Sequence, residues 1–569
     1  MSAAMTPGER FREARDLLLR YRTDYDRAVA RFRWPDLTEF NWALDWFDTL
    51  AVGRGEALRI VGDAGPDTDT VFTFADLSRR SAQVAGWLRD LGVRRGDPLL
   101  VMLGNRAEVW ETLLAAMKLG AVVVPTYTTA TPAEIADRLT RGQVRFVIAE
   151  ASVTGRFAGA PGDWTGISVG GAAQGWLAYE HSEAGPDDFT PDAITRAHDP
   201  LFRYFTSGTT SLPKMVEHTH VSYPVGHLSG MYWNGVAPGD LHLNISAPGW
   251  AKHAWSSFFV PWNAEATVVA LDSSAATPAR VLDVLGSRAI STFCAPPTVW
   301  RALAEHGLGR RPVALREAAA AGEPLEASLI ALVRREWKID LRDGFGQTET
   351  TAQIGNPPGR RSVAGSMGLP LPGYRIVLRD PETGREVPDG EPGEICVPLA
   401  GRPLGLMKGY VGDADRTAAA FAGGYYRSGD LAVRASDGSL THLSRSDDMF
   451  KAFDHRISPR ELEEVVRSHE AVADVAVVPV PDPVGLWAPK AFVLLAPGHR
   501  ADERTAAGVF DLVRSALPPE KWVRAVEFTE ELPRTSSGKV RRAALRERAH
   551  RAAGRDHLID QVVDAPSRG

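Results

Sequence analysis

Between residues 8 and 33 the apolar side chains Phe11, Leu17, Leu18, Tyr21 and Tyr25 fall near one face of a 3.6-residue period, which predicts an amphipathic helix. From about residue 98 short apolar runs alternate with helical stripes. Pro98 to Leu103 reads as a strand. Asn105 and Glu108 then fit a capping box for a helix whose buried stripe is Val109, Leu113, Ala116 and Met117. Gly120 stops that helix, and Ala121 to Val124 and Phe146 to Ala149 are the next strands. This alternation predicts an α/β fold of parallel sheet layers covered by helices.

The last ~120 residues have the element spacing of a separate small α/β unit. Ser458, Pro459 and Glu461 supply the N-cap, first helical position and capping partner of a helix running through Val466. Val475 to Val480 and Ala491 to Leu495 are expected as strands, and Val509, Leu512, Val513 and Ala516 as the buried stripe of a second helix. The tail after His557 is expected to fray.

Composition narrows the class. The 569 residues exceed what one hydrophobic core supports, so at least two domains are expected. Hydrophobic residues at 44% and charged ones at 24% exclude a disordered chain. A net charge of −6 supplies no basic field for nucleic acid or an anionic membrane. Two cysteines far apart, Cys294 and Cys396, build neither a disulfide framework nor a cysteine metal site, which suits a reducing cytoplasm. The first 20 residues carry no apolar core of signal-peptide length and no apolar run reaches membrane-span length, so a cytoplasmic protein is expected. Trp42, Trp46, Trp110 and Trp522 sit in apolar patterns and are expected in the core. Glu217-His-Thr-His220 holds two histidines but lacks the further ligands of a zinc site.

Four strings carry candidate chemistry. In Tyr204-Phe-Thr-Ser-Gly-Thr-Thr-Ser-Leu-Pro-Lys214 an apolar run ends in a loop of small hydroxyl residues around Gly208, closed by a lysine. Backbone amides in such a loop converge on phosphate oxygens, hydroxyls add donors, and Lys214 adds charge. Its glycine and lysine spacing differs from the Walker pattern. Asp343-Gly-Phe-Gly-Gln-Thr-Glu349 is a glycine-broken turn with an aromatic, a hydroxyl and an acid. Tyr426-Arg-Ser-Gly-Asp430 places an acid after a tight turn, as gripping ribose hydroxyls requires. Pro533-Arg-Thr-Ser-Ser-Gly-Lys539 sets one lysine on a glycine-containing loop. Each alone fits an ordinary turn or solvated loop; together, in this order, they do not.

The four strings, with Gly322-Glu-Pro324 and Ser444-Arg-Ser-Asp-Asp448, resemble the signature motifs of the acyl-adenylate-forming superfamily over nearly the whole chain. Phe40-Asn-Trp-Ala-Leu-Asp45, Lys214-Met-Val-Glu-His218 and Gly249-Trp-Ala-Lys-His-Ala-Trp-Ser-Ser257 look most like the medium-chain acyl-CoA synthetases. The resemblance implies a large N-terminal domain, residues 1–446, with parallel sheet layers and a distorted β-barrel. It also implies a small mobile C-terminal domain, 447–569, hinged at Asp447. The implied reaction is AMP-forming ligation of a medium-sized or bulky carboxylic acid to coenzyme A, with ATP, Mg²⁺ and coenzyme A taking part.

The same resemblance assigns roles. Thr206, Ser207, Gly208, Thr209, Thr210 and Lys214 should hold the β and γ phosphates. Gly322, Glu323, Pro324 and Phe345 should enclose the adenine, with Asp343, Gly346 and Gln347 also on the nucleotide; Thr348 should touch the α-phosphate and Glu349 should hold Mg²⁺. Asp430 and Arg445 should bind the ribose, Lys539 should bridge carboxylate and α-phosphate, and Arg456 should assist the departing phosphates. Trp250, His253, Trp255 and Gly344 should lie near the acyl group, and Phe453, Asp454 and His455 on the coenzyme A side.

Four residues depart from the family pattern. Ser211, Asp454 and Ser444 stand where glycine is usual, and Phe453 replaces a small residue beside Asp454. Because Ser211 belongs to the phosphate loop and Asp454 to the pantetheine face, a member specialised for one half-reaction is a rival expectation. A carrier-protein acylating enzyme and a non-catalytic nucleotide-binding protein are two more. Assembly into a homo-oligomer is left open.

Overall fold

The computed structural model describes residues 5–206, 213–272, 276–401, 403–446, 448–452, 455–482, 486–534, 540–551 and 556–559, with backbone alone at 451, 455, 456, 486, 550 and 551. The N-terminal segment forms two helices rather than one. Pro7–Arg20 is opened by a reciprocal Thr6–Glu9 capping box and buries Phe11, Ala14, Arg15 and Leu18; Tyr25–Arg31 starts afresh because the Asp24 carboxylate accepts the Arg27 amide. Leu17, Tyr21 and Tyr25 are only half-buried.

Two large sheets follow. One has nine strands: Leu369–Pro370, Ala352–Gly355, Leu341–Gly346, Glu317–Ala321, Thr292–Ala295, Leu241–Asn244, Thr267–Ala270, Glu56–Ile60 and Thr70–Thr73, in spatial order. The six from Leu341–Gly346 to Glu56–Ile60 run parallel. The other has eight: Gly409–Tyr410, Lys214–Thr219, Pro200–Thr206, Val122–Pro125, Pro98–Met102, Phe146–Glu150, Thr165–Val169 and Leu177–Ala178. Its central strands are apolar throughout because both faces are covered: every residue of Pro98–Met102 and Val122–Pro125 is buried. Trp42, Trp46 and Trp110 sit in this core, fully enclosed.

The helix Ala107–Leu119 ends where expected, with Gly120 in the left-handed region at φ 73°. Its expected capping box does not form. Arg106 takes Glu108 with two hydrogen bonds, at 2.8 and 2.9 Å, while Asn105 is turned to Leu271 O and His253.

A four-stranded antiparallel sheet, Val377–Arg379, Gly393–Pro398, Tyr425–Arg434 and Leu440–Arg445, completes the large part. Beyond it a separate apolar cluster runs from Phe450 to Ile559. There the hairpin Val472–Asp482 with Leu486–Leu495 pairs in parallel with Ala525–Thr529. Ser458 does precede the helix Pro459–Arg467, but without a capping box: its hydroxyl reaches Leu443 O, and Glu461 pairs with Lys521 at 2.7 Å. The helix Glu503–Ala516 buries Ala506, Val509, Phe510 and Val513; Phe510 takes the place expected for Leu512, and Ala516 is exposed. Trp522 is half-buried at the edge, its indole N–H bonded to Leu517 O. Among the described residues no helix is long and apolar enough to cross a membrane.

Candidate functional site

Chemistry-bearing residues collect where parallel strands end. Thr206 closes Pro200–Thr206 and is the Cα partner of Lys214, which opens the return strand. Gly322, Glu323 and Pro324 follow Glu317–Ala321, with Glu323 paired to Arg301 at 3.2 Å. Asp343, Gly344, Phe345 and Gly346 finish Leu341–Gly346, and Gln347, Thr348 and Glu349 form the turn beyond. Carboxyl ends of parallel strands are where open α/β sheets place ligands, because the loops leave a crevice there. Ser207, Gly208, Thr209, Thr210 and Ser211 lie outside the described residues, as do Asp447, Phe453, Asp454 and Lys539; His455 and Arg456 are described by backbone alone.

Around Asp430 four residues from three segments converge. Asp430 is the Cα partner of Arg445 across an antiparallel pair, and its carboxylate accepts Arg445 at 3.1 Å, His442 Nε2 at 2.9 Å and Gln347 Nε2 at 2.5 Å. Tyr426 donates to Gln347 Oε1 at 2.6 Å, which turns the amide nitrogen toward Asp430 and Ser428 O. The His442 ring also stands 6.2 Å from Phe345, and Arg460, from the C-terminal helix, donates to His442 O at 2.8 Å. Gly346 has no room for a side chain: a Cβ would stand 2.4 Å from Trp255 and 2.5 Å from Thr351 O. Burial pushes the Asp343 carboxyl up to about 8, against the pull of the Gly344 amide and the Arg460 charge.

A second group links the loop lysine to the acid. The Lys214 ammonium lies 5.4 Å over the Tyr410 ring, and the Tyr410 hydroxyl donates to Glu349 Oε1 at 3.0 Å. Burial and the Glu349 charge push the Tyr410 phenol up, so it stays a donor. This is the one hydrogen bond the described residues give the Glu349 carboxylate. A half-exposed carboxylate with an oxygen to spare is the donor a hard divalent cation takes alongside phosphates and water, so Glu349 fits magnesium. Thr348 is positioned through its carbonyl, which accepts His218 Nε2 at 2.7 Å while Nδ1 meets Ser222 Oγ at 3.0 Å. Burial lowers His218 to about 4, leaving a neutral positioning imidazole.

The aromatic residues lie on a bent helix, Ala251–Ala254 running into a π turn at Trp255–Phe259. Trp255 donates to Tyr223 OH at 3.0 Å, and His253, lowered to about 3 by burial, faces Asn105 Oδ1 at 3.1 Å. Trp250 and His253 line a void of about 10 Å³ whose far wall includes Val101, Phe202 and Tyr204. Such a space holds about one water. Gly344 faces Trp233, whose indole donates to Asp343 O at 3.1 Å.

Sequence reasoning missed Tyr410, His442, Trp233 and Arg460. Tyr426 opened a quoted string without being assigned to the site. The others carry no local signal, because register and packing across distant segments bring them in.

A model of the AMP-binding enzyme family matches residues 48–411, and one of the AMP-binding enzyme C-terminal domain matches 461–539. The chain is 38% identical to 4-hydroxybutyrate–CoA ligase 1 of Metallosphaera sedula, covering 90% of this chain and 91% of that protein. It is 32% identical to the mitochondrial acyl-coenzyme A synthetase ACSM3 of Mus musculus, over 95% and 91%. Among solved structures, the anthranilate CoA ligase AuaEII in complex with anthranoyl-AMP superposes with a TM-score of 0.81 at 28% identity, over 90% of this chain and 98% of that one.

Proposed function

The chain belongs to the family of AMP-binding enzymes, and on that premise we propose that it is an AMP-forming carboxylic acid–coenzyme A ligase with the roles given below. The observation that carries the reading is the meeting of Lys214 and Glu349 at Tyr410, which brings a loop cation and an acid together beside the nucleotide-type turn. Similarity to complete CoA ligases over nine-tenths of the chain favours both half-reactions over a one-step specialist.

In the first step a carboxylate oxygen of the acid attacks the α-phosphorus of ATP, the bond to the bridging oxygen breaks, and pyrophosphate leaves. Two anions meet, so the rate comes from positioning and charge stabilisation. Lys214 and the loop from Thr206 hold the β and γ phosphates, and Thr348 faces the α-phosphate. Asp430, positioned by Arg445, His442 and Gln347, grips the ribose, and Phe345 covers the adenine together with Gly322, Glu323 and Pro324. Magnesium, held at Glu349, would supply neutralisation of phosphate charge. Lys539 bridges the carboxylate and α-phosphate, and Arg456 assists the leaving pyrophosphate. In the second step coenzyme A, as the thiolate left when its thiol gives its proton to solvent, attacks the acyl carbon, the acyl carbon–oxygen bond to the phosphate breaks, and AMP departs with the bonding pair.

We place the domain boundary at 446/447, hinged at Asp447, with Phe453, Asp454 and His455 on the coenzyme A side. The separate apolar core from Phe450 to Ile559 supports this. The tryptophans at 250 and 255 favour a medium-sized or bulky acid, one that bears a ring. Two buried free cysteines suit a reducing cytoplasm.

The test is a panel of acids assayed for pyrophosphate release, and for acyl-CoA by mass spectrometry when coenzyme A is added. Acid-dependent pyrophosphate release with acyl-CoA accumulation is expected. Failure to release pyrophosphate with any acid, together with no thioester from supplied acyl-AMP, overturns the assignment.

A further inference from the structure

The strands that end at the candidate site begin at a second concavity. A cavity of about 550 Å³ opens beside the starts of Glu317–Ala321 and Leu341–Gly346, where Arg316 and Arg342 stand. Along the strand, Arg342 lies about 13 Å from Gly346, so this cavity is distinct from the nucleotide-type turn. The helix Ala327–Trp337 adds Arg334 and, at its left-handed C-cap, Lys338 with φ 56°; Arg360 and Arg361 close it from the following loop. With Arg311, seven cationic side chains line the walls against two carboxylates, Glu317 and Asp340.

Surface arginines usually pair with acids, and several here do. Arg342 pairs with Glu317, Arg334 with Asp340 at 2.6 Å, Arg316 with Asp240 at 2.5 Å and Arg360 with Asp26 at 2.5 Å. That consumes both lining carboxylates and two from outside. Arg311, Lys338 and Arg361 have no carboxylate partner among the described residues; Arg311 reaches only Leu315 O, at 3.0 Å. Arg342 is the most enclosed of the seven cations. It is 3% exposed, yet its Nε–H is buried without a hydrogen-bond partner among the described residues.

We propose that this cavity is a binding site for a small molecule bearing an oligophosphate. Three unpaired cations beside already paired guanidinium groups attract more than one negative charge, and guanidinium forks match phosphate oxygens. The volume is that of a small-ligand pocket, larger than a single phosphate requires.

Inorganic tripolyphosphate and, separately, GTP are titrated by calorimetry into the full chain and into the triple variant Arg311→Glu/Lys338→Glu/Arg361→Glu. Hydrogen exchange is followed at 334–342 and 359–361. Expected is a salt-sensitive site in the wild type, protection in those two segments, and affinity at least about tenfold weaker in the variant, with acid-dependent pyrophosphate release unchanged. Binding of both probes identifies a nucleotide's phosphate tail as sufficient; tripolyphosphate alone identifies a bare oligophosphate. Equal affinity in the two proteins, or protection confined to the segments around Thr206 and Gly346, overturns the proposal.

Discussion

Trp233 fills the space that a side chain at Gly344 would need, since a Cβ there would stand 2.4 Å from the indole. Gly355, the Cα partner of Gly344 on the next strand, is held bare by the same ring at 2.3 Å. A pair of facing glycines thus seats one tryptophan, whose N–H fixes Asp343 O on the strand that leads into the turn at Gln347 to Glu349.

Gly344→Ala is therefore expected to destabilise the protein by about 1–3 kcal/mol through overpacking, and to slow acyl-adenylate formation. Adding Trp233→Phe, a smaller ring, should recover part of the stability. Urea midpoints of the two variants check this; an unchanged midpoint for Gly344→Ala would refute the seating.

Tyr410 touches both Lys214 and Glu349, by ring and by hydroxyl. Tyr410→Phe keeps the ring under the ammonium and removes only the donor to the carboxylate. A hydrogen bond to a charged group contributes about 1.5–3 kcal/mol, so kcat/KM for ATP should fall roughly 10- to 100-fold. Tyr410→Leu should fall further, because the face under Lys214 goes too. Pyrophosphate-release kinetics at saturating acid separate the two; equal losses would show that the ring contributes nothing.

Asp430→Asn keeps the shape of the carboxylate and removes its charge. Arg445 is more than a third exposed, so losing its partner should cost at most about 1 kcal/mol of stability. The ribose grip should suffer more, raising KM for ATP by about tenfold while the melting temperature barely moves. A large drop in melting temperature with KM unchanged would make Asp430 a structural residue.

Lys539→Ala is expected to abolish acyl-AMP formation while sparing thioester formation from supplied acyl-AMP, because the second step needs no cation between carboxylate and phosphorus. Rapid-quench assays of each half-reaction check it. Adenylation at the wild-type rate would remove the lysine from the chemistry.

Much of the site was legible because its chemistry sits in short strings. Phe345 to Glu349 occupy one strand end and one turn, so the local pattern carries their neighbourhood. His442 and Tyr410 were not legible: His442 meets Asp430 only through the register of Leu440–Arg445, and Tyr410 meets Glu349 from a two-residue edge strand. Strands and helix stops were read from apolar runs and Gly120. The expected capping boxes at Asn105 and Ser458 failed because cations bind the acids that spacing had assigned to the helix amides: Arg106, only two residues away, takes Glu108, and Lys521, from a distant segment, takes Glu461. The split of the first helix turned on Asp24, whose carboxylate caps the second helix at the Arg27 amide.

The pH dependence of stability follows from buried imidazoles. His218, His220 and His242 are lowered to about 4 by burial, His253 to about 3, and His227 in the same direction. Unfolded, they titrate near 6.5. Between about pH 6.5 and 4 the unfolded chain binds more protons than the native one, so their contribution to stability is present above 6.5 and lost as pH falls. Asp343 works oppositely: raised to about 8, its contribution is present below about 4 and lost as pH rises through 8. Between pH 6.5 and 4 the five histidines and Asp343 act in opposite directions, and from pH 6.5 to 8 Asp343 tilts the curve downward. His220 is a clean probe, because both its ring nitrogens are buried without a hydrogen-bond partner among the described residues. His220→Phe should therefore fold, and should reduce the acid-side slope by about one proton, or ~1.4 kcal/mol per pH unit. Asp343→Asn should flatten the decline between pH 6.5 and 8. Urea unfolding from pH 4.5 to 8 measures both, and a His220→Phe curve parallel to wild type below pH 6.5 would show that this imidazole is protonated in the native state.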